Sequence, residues 1–349
     1  MSLRMNLFCL YCSTTLIFLL FLQAVCAQYR FDEVDRLLTE RKQQLGNKVV
    51  TLIYKDGKMI YQKETGEDFK VETIQPIGAS SKWLTAALIM TFVDKGELSL
   101  DDPVSRYLPI FSSYSKSYIT IRHCLSEITG IESAPKKLNR ILQKKKFASL
   151  EEEVNYFAAT KDIITNPGQE LFVGDVGYNI AGRVLEVISK RKTFSRLMQE
   201  RITRPLTMRR TSFAAENGAE DPSGGAVSTA GEYIKFMTML LNNGEYNGKR
   251  ILSKEAIQEM HTAHNSSLPV KGIPRLAEGF QYGYGTWIQE AGKNMIIGAP
   301  SLTGTWPYIN TCKNYACIVF TPPLAAEQKR DVYTAVQEEI ERQISGECK

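Results

Sequence analysis

Chemistry needs polar side chains at fixed spacing, and this sequence offers few such spacings. His261 and His264 form its only close histidine pair, with no carboxylate or cysteine at ligand spacing, so no metal and no cofactor is expected. None of the three histidines falls in a nucleophile-elbow context, which leaves a Ser-His-Asp triad unsupported. No glycine-rich loop follows a strand and opens a helix, so nucleotide binding has no support either. Ala79-Ser80-Ser81-Lys82 stands at the start of an expected helix. Residues i and i+3 share a helix face, so Ala79 and Lys82 lie on one side while Ser80, at i+2, points to another.

Periodicity supplies the elements that must hold these residues. Phe31, Val34, Leu38 and Leu45 have helical spacing. Val49–Tyr54 and Met59–Gln62 flank Asp56-Gly57, a strong two-residue hairpin signal. Lys82–Lys95 reads as a helix stopped by Gly96. The stretch 98–240 is helical and loopy, punctuated by Pro103, Pro109, Pro135 and Pro167. Strand signals return at Tyr282–Gln289, Asn294–Gly298, Gly304–Asn310 and Tyr315–Thr321, and a closing helix carries Val332, Val336, Ile340 and Ile344 on one stripe. The expectation is an α/β (α+β) fold: an antiparallel sheet flanked by helices, with an inserted mainly helical domain. The α/β lobe is expected at about 28–97 and 245–349, the helical lobe at about 98–244.

The chain has 349 residues, 43% hydrophobic and 23% charged, which is globular composition. A net charge of +5 is small for this size and demands no nucleic-acid partner. Arg4 is the only charge among residues 1–27, and an apolar stretch leads to Ala24-Val25-Cys26-Ala27. These read as a secretory signal peptide cut after Ala27, with an uncleaved anchor as the alternative. Export and no stable membrane insertion after cleavage are therefore expected. Cys124, Cys312, Cys317 and Cys348 stay with the mature chain. Cys312 and Cys317 flank an expected hairpin turn and either pair there or remain free thiols. Asn265-Ser266-Ser267 is a glycosylation sequon in a eukaryotic host. The basic stretch from Lys136 to Lys146 reads as a solvated helix face or as a surface for an acidic partner.

Several landmarks in one order resemble the serine β-lactamase and penicillin-binding-protein superfamily, closest to its class C-like branch. They are Lys82-Trp83-Leu84-Thr85-Ala86, then Val93 through Val104, and Thr120-Ile121-Arg122-His123-Cys124-Leu125-Ser126 with Thr129-Gly130. The last is similar to the family's T-I-R-H-L-L-S-H-T-S-G. Pro167-Gly168, Gly177-Tyr178, Arg204-Pro205-Leu206-Thr207-Met208, Gly224-Gly225, Ser228-Thr229-Ala230 and Gly304-Thr305 follow.

The resemblance implies a β-lactamase/transpeptidase-like fold and a Ser-x-x-Lys pair, a Tyr-x-Asn motif and a Lys-Thr-Gly or His-x-Gly strand. In this chain the nucleophile's place holds Ala79, while Lys82 is retained. The second motif reads Val173-Gly174-Asp175, and valine can neither give nor take a proton. Asp175 would set a negative charge near Lys82, or is a simple surface aspartate. The third motif reads Ala299-Pro300-Ser301, where Pro300 lacks a backbone donor. Trp306 and Tyr308 either line the ligand cleft or pack in the sheet.

The expectation is a pseudoenzyme with its cleft kept, binding a small-molecule, peptide or ester-like ligand. The alternative is an active esterase, D,D-peptidase or β-lactamase with a relocated nucleophile, Ser80 or Ser301. A structural or adhesive module with a vestigial cleft is the third reading.

Overall fold

The computed structural model describes residues 29–133, 147–190, 192–264, 267–291, 294–323, 329–346 and 348. The expected leader, the basic stretch and the asparagine of the sequon lie outside these residues.

Alternating apolar runs build the sheet. Its strands are β1 (Val49–Lys55), β2 (Lys58–Thr65), β3 (Gln281–Tyr282), β4 (Trp287–Ala291), β5 (Asn294–Gly298), β6 (Thr305–Asn310) and β7 (Tyr315–Phe320). Their spatial order is β2-β1-β7-β6-β5-β4-β3, every neighbour antiparallel. The β1–β2 turn holds Asp56 and Gly57 at φ 47° and 85°, the left-handed pair that a tight hairpin requires.

Side chains alternate between the faces. Val50, Leu52, Ile297, Ile309, Ala316, Ile318 and Phe320 point into the larger core, shared with the helices of the middle of the chain. Val49, Ile53, Trp306, Tyr308, Tyr315, Cys317 and Val319 point to the other face. That face is covered by α1 (Asp32–Glu40) and the closing helix Arg330–Gln343, whose Val332, Val336 and Ile340 make its apolar stripe. The architecture is the expected antiparallel sheet with helices on both faces.

The helix that follows Ala79, α2 (Ser81–Asp94), is buried from Ser81 through Phe92. A helix apolar all round has no solvent face and must be central. It ends in a Schellman arrangement, with Gly96 at φ 66° and bonds from Gly96 N to Val93 O and from Glu97 N to Phe92 O. Against it packs α4 (Val176–Ile188), which in turn carries α3 (Leu150–Thr160), while α5 (Ala230–Leu241) lies on the sheet.

Two expectations need correction. Tyr282–Gln289 is not one strand, because β3 and β4 are separated by a turn at 283–286. There Gly285, at φ 72°, lies so close to α2 that a Cβ would stand 2.5 Å from the Lys82 carbonyl oxygen. Cys312 pairs with Cys348, not Cys317. Cys317 is a buried free thiol on β7 facing the closing helix, and its cross-strand neighbour is Tyr308.

His261 caps the helix Lys254–Met260 and is buried beneath α2, where Trp83 Nε1 donates to its Nε2 at 3.3 Å. Burial lowers its pKa to about 3. The unfolded chain therefore binds a proton between about pH 6.5 and 3 that the native state refuses, so stability falls as pH drops through that window. His123 and His264 are shifted in the same direction, also chiefly by burial. Urea unfolding at pH 7.0 and 4.5 is expected to differ by about 2–3 kcal/mol on account of His261 alone. His261→Gln, which keeps an acceptor for Trp83, should reduce that difference. An unchanged pH dependence in this variant would contradict the assignment.

Candidate functional site

The site forms where the start of α2 meets the extension of β5. Ala79 sits in a 3-10 turn, Gly78–Ser80, and its methyl group is exposed. The following hydroxyls are committed elsewhere. Ser80 Oγ donates to Ala299 O at 2.6 Å and is fully buried. Ser81 Oγ accepts from Ala226 N at 3.1 Å. The structure thus ties Ser80 to the sheet, away from Lys82, because consecutive first-turn residues point to different sides of the helix.

Lys82 is buried and forms an ion pair with Glu127. The carboxylate paired with Lys82 is Glu127, and Asp175 lies half-buried at the start of α4. Glu127 holds a left-handed backbone at φ 54°, which turns its side chain inward from a chain reversal after the short helix Ile121–Leu125. Its Oε2 accepts from Gly174 N at 2.8 Å, and Tyr282 donates at 3.2 Å to Oε1, the oxygen paired with Lys82. The Tyr178 ring lies 5.5 Å from Lys82 Nζ, and its hydroxyl donates to Leu125 O at 2.8 Å.

Burial pushes the Glu127 carboxyl above the ordinary carboxylate range, opposed by Lys82 and by its hydrogen bonds. Burial and the Glu127 charge hold both Tyr178 and Tyr282 far above a normal phenol. Neither phenol is a base near neutral pH. Val173 contributes only packing, against the small cluster that contains Leu171, Tyr282 and Trp287.

On the opposite wall, Ala299 and Ser301 continue the ladder through Ala299 N to Pro307 O and Ser301 N to Thr305 O. Ala299 belongs to the larger core, while Pro300 turns toward Trp306 on the far face. Ser301, buried, receives the Ala79 N–H on its Oγ at 3.0 Å. Trp306 does not line this cleft. It is 4% exposed and packs on Tyr333 of the closing helix, ring centroids 4.7 Å apart. Its place in the strand alternation puts it on the face away from α2.

The structure therefore brings Ala79 and Ser301 together, pairs Lys82 with Glu127, ties Ser80 to the sheet by a buried hydrogen bond, and leaves Val173 and Trp306 as packing groups. Glu127 went unnoticed in the sequence, although it stands where the resembling stretch T-I-R-H-L-L-S-H-T-S-G has its second histidine. Among the described residues no three His, Cys, Asp or Glu side chains converge as metal ligands.

A family model described as Beta-lactamase matches residues 34–336. Protein Rv1367c of Mycobacterium tuberculosis (strain ATCC 25618 / H37Rv) is 25% identical over 272 residues, 61% of this chain and 67% of that protein. The crystal structure of a putative beta-lactamase from Bacteroides dorei DSM 17855 superposes with a TM-score of 0.79 at 26% identity, covering 90% of this chain and 99% of that one. The penicillin-binding protein homologue from Pyrococcus abyssi superposes at 0.71 with 22% identity, covering 88% and 77%, a likeness of fold.

Proposed function

This chain belongs to the Beta-lactamase family, and from that premise we propose that it is an exported member without a nucleophile, binding a peptide, acyl or ester-like small molecule in the cleft without covalent turnover. The observation that carries the reading is position 79. The residue one helical turn before the buried Lys82 is alanine, so no hydroxyl stands where the amine could activate it. The Lys82 amine is taken up in a buried ion pair with Glu127. Val173 supplies no relay. Ser80 and Ser301, the two relocated nucleophiles worth weighing, have hydroxyls engaged in buried hydrogen bonds.

Export is supported by the leader pattern of residues 1–27 and by the Cys312–Cys348 disulfide, a bond that persists in oxidising compartments. Among the described residues no helix is long and apolar enough to cross a membrane.

The test is turnover of a chromogenic cephalosporin and of p-nitrophenyl esters by the purified protein beside Ser80→Ala and Ser301→Ala. The expected result is a background rate that neither substitution changes. Loss of nucleophile in hydrolases of this kind removes on the order of 10⁶ in turnover. A rate that collapses in either variant would establish a relocated nucleophile and overturn the reading.

A further inference from the structure

We infer that Ser301 is an internal plug: its hydroxyl oxygen fills the anion-binding position at the start of α2 that a substrate oxygen would need. The inference rests on the reading of the cleft as a serine-hydrolase site without its serine, and it adds a second block independent of residue 79.

The geometry is specific. The Ala79 N–H, the first donor at this helix start facing the opposite wall, ends on Ser301 Oγ at 3.0 Å. The same oxygen accepts from Thr303 N at 3.3 Å and exchanges a hydrogen bond with Thr303 Oγ1 at 2.9 Å. One of these donors, the Ala79 N–H, stands in the turn that leads into α2, where a developing oxyanion would be stabilised, and the other comes from the local turn after Ser301. Here the protein supplies that oxygen itself. The approach is close enough that a Cβ on Gly78, at φ 51°, would stand 2.5 Å from Ser301 Oγ. Ser301 is 2% exposed, so its hydroxyl is packed in place and does not sweep through solvent.

A consequence for ligand class follows. Among the described residues, the Ala79 N–H and the Lys82 ammonium could each attract an acyl oxygen or carboxylate. Ser301 satisfies the first and Glu127 the second. The cleft is therefore arranged against anionic and tetrahedral oxyanion ligands, and a neutral peptide, acyl or ester-like molecule is held there by contacts other than these two.

The experiment compares Ala79→Ser with Ala79→Ser/Ser301→Gly, each treated with a fluorophosphonate. In the reaction the introduced hydroxyl oxygen bonds to phosphorus, its proton passes to solvent or base, and fluoride leaves. The double variant is expected to label about 10²- to 10³-fold faster, the factor associated with one oxyanion donor.

Amide hydrogen exchange at Ala79 in the otherwise natural protein and in Ser301→Gly gives a readout that needs no chemistry. Release of the donor should accelerate exchange at least ~10-fold. Equal labelling rates overturn the plug. Where neither variant labels, accelerated exchange upholds it and unchanged exchange overturns it. Labelling of the natural protein refutes the nucleophile-free reading instead, and the exchange result still decides the role of Ser301. Far-ultraviolet circular dichroism of each variant confirms a native fold before rates are compared.

Discussion

Glu127→Ala should destabilise the protein by about 3–5 kcal/mol, the usual result of removing one member of a buried ion pair. The Lys82 and Glu127 side chains are only 9% and 2% exposed. Without the carboxylate the Lys82 ammonium is left in a desolvated place, and Gly174 N and the Tyr282 hydroxyl lose their acceptor. The effect comes from leaving a charge alone, because a buried pair contributes little over a well-packed apolar substitute. Lys82→Met/Glu127→Leu should therefore recover most of the loss.

Lys82→Met alone leaves the carboxyl, whose folded pKa burial already raises and whose main opposing charge is gone. A carboxyl with a raised folded pKa binds its proton more readily in the native state. The penalty in this variant should therefore grow as pH rises above the unfolded carboxyl value. Urea denaturation at pH 5 and 8 measures all three. A Glu127→Ala midpoint within about 1 kcal/mol of the natural protein would contradict the buried pair.

Loss of the Cys312–Cys348 bond is the second large effect expected. The bond ties the end of the chain, beyond the closing helix, to the β6–β7 turn across a separation of 36 residues. Constraint of an unfolded loop of that length is worth about 4 kcal/mol in the chain-entropy model, with about 2–5 kcal/mol usual for native disulfides. Lys313 Nζ bonds Glu341 O at 2.6 Å, and Asn310 donates to the Glu341 carboxylate at 2.8 Å, so the same corner keeps some native contacts after reduction.

Cys312→Ser/Cys348→Ser should lower the urea midpoint accordingly, whereas Cys124→Ala and Cys317→Ala act only through packing. Burial pushes the Cys317 thiol up to about 12 and raises Cys124 as well, so both should resist alkylation until the protein unfolds. Identical midpoints for the oxidised protein and the double serine variant would mean that the bond adds nothing to stability.

The sheet was largely legible because its inner strands β1, β6 and β7 bury both faces and its turns carry residues such as Asp56-Gly57. Central α2 was legible for a related reason, a long apolar run ended by Gly96. The errors lie where three-dimensional parity or pairing decides. Trp306 falls on β6 whichever face it takes, and only the pairing of Trp306 with Val319 in the finished sheet puts it against the closing helix.

Cysteine connectivity does not follow from spacing. Glu127 lies in an otherwise uncharged stretch, Cys124-Leu125-Ser126-Glu127-Ile128, and a lone carboxylate there reads as a surface residue. Its inward direction depends on a left-handed backbone that no side-chain pattern announces. The contact of Ser301 with Ala79 joins residues 222 positions apart, so local periodicity carries no trace of it. Ala79 itself was legible, because a missing hydroxyl is visible in the residue name.

The central claim is that this cleft has no nucleophile. Intact-mass measurement of the natural protein after exposure to a fluorophosphonate and to a fluorescent penicillin tests it most directly. The expected spectrum shows the unmodified mass with both reagents, while Ala79→Ser/Ser301→Gly gains one adduct. A stoichiometric adduct on the natural protein, mapped by peptide sequencing to Ser80, Ser301 or another residue of the cleft, would contradict the account.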